Sequence, residues 1–265
     1  MRKKKKQSLL WRIDGDHLPG TSYLFGTMHV KNQKAFKKQD MVYAKMLTCQ
    51  AFATEFDLDE ISQARDPSIF LLPFGQTLDQ LMSPKKYAKL RKIIRKVTNL
   101  DLDRFRHLQP LAISNLVDEV ILATDMPLAL DAHLWEFAKR SNLRTMGIET
   151  FAEQISILKK IPLDYQIEAL VSMGKNISRH RRHLHRLAEM YENEDLAMLH
   201  KTARKGGRDL KRLLIDDRNR LMANRLAAYC QEQTLLFAVG AGHLAGEKGL
   251  LRLLKFRGLK VKPVF

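Results

Sequence analysis

Thr234-Leu-Leu-Phe-Ala-Val-Gly-Ala-Gly-His243 is an apolar run of strand length that ends on glycines and a histidine. Its near-continuous hydrophobicity reads as a buried strand with both faces covered. Toward the other end of the chain, Ser22-Tyr-Leu-Phe-Gly-Thr-Met-His29 repeats the same order of strand, glycine, two residues, histidine. A histidine that turns off a buried strand needs unusual dihedrals and close backbone approach, which Gly26, Gly240 and Gly242 would permit.

Outward from these two runs, the ends of the chain read as strands and the middle as helices. Residues 11–14 and 22–25 flank a loop containing Gly15 and Pro19-Gly20, the signature of a hairpin. Residues 51–56, 144–148 and 260–264 are further strand-like runs. Helical spacing of apolar residues covers 34–47, 84–107, 110–123, 128–140, 150–160, 164–173, 178–191, 195–221 with its continuation to about 229, and 247–256. Gly258 lies where a C-terminal helix cap would fall. Strand, crossover helix, strand is the grammar of an α/β fold. The expectation is a central mixed sheet built from the N- and C-terminal segments and covered by a large helical middle. Residues 1–8 form a basic flexible N-terminus and residues 9–265 a single domain.

Composition narrows the class. The 265 residues are 45% hydrophobic and 28% charged, an ordinary globular balance that excludes disorder for the bulk of the chain. No run reaches the roughly 18 apolar residues of a spanning helix, and no apolar core of about 7–15 residues follows the basic start as in a secretory signal. Cys49 and Cys230 are the only cysteines, too few for a disulfide framework or a Cys-rich zinc site, and both lie among apolar neighbours. These features place the protein in a reducing cytoplasm, with peripheral membrane contact left open. The net charge of +17 favours polyanions, whether nucleic acid or acidic headgroups. The basic clusters, however, fall on helical patterns without interleaved aromatics, so specific nucleic-acid recognition is disfavoured.

Each apolar strand ends on a chemically capable residue. His29 follows 23–25, Glu55 and Asp57 close 51–56, Glu149 follows 146–148, and His243 follows 235–239. In α/β sheets ligands bind at the carboxyl ends of strands. Two imidazoles and a carboxylate suit a divalent metal that keeps positions open for water and substrate. Such a metal polarises a carbonyl and lowers the pKa of bound water, and Asp57 or Glu149 could then move protons. For any one of these residues the alternative is a capping or hydrogen-bonded role in its loop. The His180-Arg-Arg-His183-Leu-His185-Arg186 segment reads instead as a basic solvated helix face, because its arginines repel a cation. His107, His133 and His200 have no motif around them, and Gly206-Gly207 reads as a break between helices.

Leu24-Phe-Gly-Thr-Met-His-Val30, Thr54-Glu-Phe-Asp-Leu58, Gly147-Ile-Glu-Thr150 with Glu153-Gln154, Asp217-Arg-Asn-Arg-Leu-Met222 and Val239-Gly-Ala-Gly-His-Leu244 together resemble the TraB/GumN family, related to the Tiki metalloproteases. The resemblance runs from about Leu9 to Phe265. It implies one α/β domain with a metal-dependent hydrolytic site, in which His29 and His243 match the motif histidines and Glu55 the motif glutamate. These three become the implied metal ligands, for Mn, Co, Zn or Fe. Arg218 and Asn219 match an Arg-Asn pair, and the arginine could hold a substrate carboxylate, stabilise an oxyanion or pair with Glu55. Asp131 falls on a helix and reads as structural. The family's Glu-Thr-Asp strand end is Glu55-Phe56-Asp57 here, which still points both acids to one side. The expected function is hydrolysis of peptide or protein substrates. The alternatives are a metal-free histidine hydrolase, a peptide-binding regulator without turnover, and a basic adaptor on anionic membrane or nucleic acid.

Overall fold

The fold is taken from a computed structural model that describes residues 7–63, 67–122, 125–203 and 208–265. Among the described residues, six strands form one mixed sheet: β1 Leu10–Asp14, β2 Ser22–Thr27, β3 Ala51–Phe56, β4 Arg144–Glu149, β5 Leu235–Gly240 and β6 Lys260–Pro263. Their order across the sheet is β4-β3-β5-β2-β1-β6. The first four in that order run parallel, with Thr54 beside both Gly147 and Ala238, and Gly26 beside Val239. β1 turns back on β2 as the expected hairpin and pairs antiparallel with β6 on its other side. The expected α/β architecture therefore holds. One strand, β4, comes from within the helical middle rather than from either end.

The helices are α1 Gln39–Met46, α2 Leu58–Gln63, α3 Pro84–Thr98, α4 Pro110–Ile121, α5 Leu130–Arg140, α6 Phe151–Lys159, α7 Leu163–Lys175, α8 Ile177–Glu192, α9 Leu196–Ala203, α10 Arg208–Lys211, α11 Asp217–Glu232 and α12 Leu250–Phe256. They leave every residue of β2 buried, and β5 buried up to its final glycine. Phe25, Phe52, Phe237 and Trp135 are among the largest fully buried side chains, and Phe52 meets Trp135 edge to face. Side chains of this kind stabilise by about 1.5–3 kcal/mol each on burial, which is why the apolar runs become central strands. Ser8 is buried as well, its hydroxyl donating to the Val264 carbonyl across the two ends of the chain.

Three expectations change at this level. The pattern over 84–107 is not one helix: α3 stops at Thr98, where Asn99 adopts a left-handed φ of 59° and caps it, and a short 3₁₀ turn, Leu102–Phe105, follows. The pattern over 195–221 divides into α9, α10 and α11, with a π-turn at Arg212–Asp216 leading into α11. The expected Gly206-Gly207 break lies outside the described residues. The glycines beside the histidines serve close approach, not unusual dihedrals, because none of Gly26, Gly240 and Gly242 has a positive φ. A Cβ on Gly26 would lie 2.6 Å from Leu244 Cδ1. At Gly147 the neighbours are backbone: a Cβ would lie 2.5 Å from Asp57 N and 2.9 Å from Phe56 C, so only glycine lets β4 lie against the end of β3.

Candidate active site

The parallel strands set out a row of candidate residues in the order of the sheet. Glu149 is the last residue of β4, Glu55 the penultimate residue of β3, His243 ends the 3₁₀ turn after β5, and His29 lies two residues beyond β2. Residues scattered over more than 200 positions of sequence are thus set out along one end of the sheet because four neighbouring strands point the same way. α11 lies beside this end. Asn219 shares the buried face of α11 with Met222, Ala223, Leu226 and Cys230, which sets it and the adjacent Arg218 toward the strand ends while Asp217 and Arg220 remain exposed.

Arg218 is the hub. Its Nε donates to both Glu149 oxygens at 3.1 and 3.0 Å, and its Nη2 donates to Glu149 Oε2 at 2.5 Å and to Glu55 Oε2. Gln154, in the first turns of α6, adds an amide donor 3.0 Å from Glu149 Oε2 and 3.5 Å from Glu55 Oε2. The carboxylate of Glu149 has no exposed surface. Glu55 Oε1 accepts the Gly240 N–H at 2.7 Å. Burial pushes the Glu55 carboxyl up, but Arg218, the neighbouring His243 ring and the Gly240 N–H outweigh it and hold the pKa down at about 2. Burial likewise opposes charge on Arg218, and the two glutamates overcome it and raise its pKa above the ordinary value.

The two motif histidines are held alike. Asn219 is fully buried, and its Nδ2 donates to the carbonyls of Lys248 at 2.7 Å and His243 at 3.4 Å. Its Oδ1 therefore faces His243 Nδ1 at 2.7 Å as an acceptor, which assigns the ring proton to Nδ1 and leaves a lone pair on Nε2. That Nε2 lies 3.8 Å from Glu55 Oε1. Burial, only partly opposed by Glu55, lowers the pKa of His243 to about 4, so the ring is neutral at neutral pH. His29 Nδ1 lies 3.2 Å from Asp131 Oδ2 on α5. This ring is largely exposed, and its pKa is raised, first by the Asp131 hydrogen bond. Asp131 is thus the partner of a motif histidine as well as a helix residue.

The donor chemistry fits a divalent cation. His243 Nε2 carries a lone pair, Glu55 is anionic, and their 3.8 Å separation is within what two ligands each roughly 2.1 Å from one ion span. A carboxylate or amide oxygen behind the Nδ1 of each histidine is the usual arrangement behind a metal-bound imidazole. Among the described residues, however, no group of three or more His, Cys, Asp and Glu side chains is arranged to hold a metal ion. The structure brings together Glu55, Glu149, His243, Arg218 and Asn219, and places His29 apart on Asp131. Asp57 accepts the Asp59 N–H at 2.9 Å and so sits at the start of α2.

Sequence reasoning passed over three contributors. Gln154 carried no role, although Thr150 and Glu153 just before it form a capping box that was legible as Thr-x-x-Glu. His200 is buried, with Nδ1 3.0 Å from the carbonyl of Gly242 in the turn that carries His243. Nothing in the sequence around it signals this contact. The Tyr191 hydroxyl donates to the Gly26 carbonyl at 2.7 Å, bracing the other GxxH turn. On the helix expected to present a basic solvated face, His180 is paired with Asp118 at 2.5 Å and only partly solvated. Cys49 and Cys230 are buried thiols with pKa values pushed up to about 12 and 11 by burial, which makes them unreactive.

The sheet defines an α/β protein, with two histidines and two glutamates set out along the ends of its parallel strands. The chain belongs to the TraB/PrgY/gumN family, whose family model matches residues 9–263. It is 23% identical to the metalloprotease TIKI1 of Danio rerio, over 96% of this chain and 63% of that protein. It is 24% identical to a metalloprotease TIKI homolog of Amphimedon queenslandica, over 97% of this chain and 61% of that protein. The chain spans about three fifths of the length of these curated relatives. No solved structure matches. No helix among the described residues is long and apolar enough to cross a membrane.

Proposed function

We propose that this chain is a metal-dependent hydrolase acting on peptide or protein substrates. The observation that carries the reading is the pair of buried His243 and half-buried Glu55, prepared by Asn219 and Arg218 in the protonation states that a cation requires. His243 and Glu55 would hold the metal, with His29 as third ligand once its ring leaves its present position. The bound ion would supply a polarised substrate carbonyl and an acidified water. Arg218 keeps Glu55 ionised and close to Glu149, and its remaining donor capacity serves a developing oxyanion. Both oxygens of Glu149 accept from Arg218, and Oε2 from Gln154 as well, so its role is to position the guanidinium. Proton transfer falls to Asp57, the acid two residues after Glu55, where β3 gives way to α2. The names of the curated relatives, all metalloproteases, support the same class of chemistry.

The test is elemental mass spectrometry on gently purified protein, together with turnover of a mixed peptide library, for wild type, His29→Ala and His243→Ala. About one divalent metal per chain and metal-dependent cleavage, both lost in the two variants, is the expected result. A second reading is favoured by one observation: Arg218 already engages Glu55 in an ion pair. On that reading the site binds a peptide without cleaving it, and library peptides are retained intact with no metal in the wild type.

A further inference from the structure

The segment around Phe74 is built to be exposed. Phe74 is 99% exposed, and Phe70 and Leu71 beside it are 37% and 38% exposed. This loop is not slack. Leu72 N–H donates to the His107 carbonyl at 2.7 Å, Gln109 N–H to Phe70 at 2.8 Å and Leu78 N–H to Arg106 at 2.8 Å, so the loop pairs with residues 106–109. The Gln109 side-chain amide also donates to the carbonyls of Ile69 and Leu71 at 3.2 and 3.3 Å. At its tip, Gln76 N–H closes a turn onto Pro73, with Phe74 at φ 57° and Gly75 at φ 68°. A phenylalanine in the left-handed region is costly and persists only where surrounding structure enforces it. The chain here spends rigidity to hold an aromatic ring in solvent.

The surroundings are cationic. Phe74 and Lys159 line one groove, and His107 joins that groove to a second cavity lined by Arg91, Arg104 and Arg106. The acids there are Asp79 and Asp103, and Asp103 is already engaged by Tyr87 and Arg91. The exposed face of α3 continues the positive charge through Lys85, Lys89 and Lys92. A rigid aromatic tip ringed by arginine and lysine matches an anionic bilayer surface, where the ring enters the acyl boundary and the cations meet the headgroups.

We infer that the Phe74 loop docks this protein on an anionic lipid surface, with Phe74 and Leu71 inserted and Arg104, Arg106 and Lys159 at the headgroups. The neighbouring Phe70 lines the cavity that also holds Met28 and His29, so docking would set the His29 end of the sheet close to that surface.

The experiment is co-sedimentation of the full chain with phosphatidylcholine vesicles, with and without about one third phosphatidylglycerol, at low and high salt. Wild type is expected to bind the anionic vesicles, to release at high salt and to bind the neutral ones poorly. Phe74→Asp should weaken the partition about tenfold or more, in line with losing one buried aromatic side chain. Arg104→Glu with Arg106→Glu should do the same while the thermal midpoint stays within a degree or two, because these side chains are exposed. A Phe74→Trp variant whose added emission is quenched by brominated lipid would place the tip in the bilayer. The inference is overturned if wild type ignores anionic vesicles, if it binds neutral vesicles equally well, or if Phe74→Asp binds as wild type does. Retention of single-stranded RNA through the same residues with no vesicle binding would overturn it as well.

Discussion

The ends of β5 and β2 carry the same motif on adjacent parallel strands, yet the two histidines occupy opposite environments. His243 is buried behind Asn219, and His29 is largely exposed beside Asp131. In both, a side-chain oxygen from a helix holds Nδ1. The repeat in sequence therefore encodes how each ring is tethered, not how deeply it is set. One histidine sits in a prepared, low-dielectric pocket, and the other sits where solvent reaches it.

The largest test of this contrast acts on the buried side. Arg218→Ala leaves Glu55 and Glu149 buried without their counter-charge and should cost about 3–5 kcal/mol of unfolding free energy, read from urea denaturation. Adding Glu55→Gln and Glu149→Gln to that variant should restore much of the loss, and failure to do so would mean that packing around Arg218 dominates. Next comes acid sensitivity, measured with chelator present. The pKa of His243 is 6.5 unfolded and about 4 folded, so the native state resists protonation. Its contribution to stability is fully present above pH 6.5 and is lost as pH falls toward 4, on the order of 3 kcal/mol in all. Glu55, lowered from 4.5 to about 2, loses its contribution below that window. His243→Gln should flatten the fall between pH 6.5 and 4. A smaller effect is expected of Asn219→Ala, about 1–3 kcal/mol, from a buried imidazole N–H and two carbonyls left without their partner. The smallest lies at the exposed end. His29→Ala should change stability by less than about 0.5 kcal/mol, and Asp131→Asn should lower the His29 titration midpoint followed by NMR. A large loss of stability in His29→Ala would erase the contrast.

Much of this was legible before the fold was known. Apolar runs that end on polar residues marked the strands and their functional ends, because burial on both faces leaves little choice of residue within a parallel strand. The row of Glu149, Glu55, His243 and His29 could be guessed for the same reason. Its order could not, since strand pairing is a long-range choice that local pattern does not encode. Arg218 was visible as a member of a motif, whereas its grip on Glu149 is a contact between segments 69 residues apart that helical periodicity does not encode. Asp131 was read as structural because a helical aspartate gives no sign of what it faces. At the glycines both unusual dihedrals and close approach were expected, and only the close approach is present.

The position of β5 has a consequence for how the chain acquires its shape. This strand lies between β2 and β3, yet it begins at Leu235, long after both have been synthesised. Until residue 240 has left the ribosome, two apolar strands wait with unpaired edges and no sheet centre to join. Hydrophobic surface that later becomes the deepest core is then open to wrong partners. A nascent chain halted before Leu235 should be sticky, dependent on chaperones and unable to present His243 at all. Completion of the sheet and completion of the row of strand-end side chains are therefore one event.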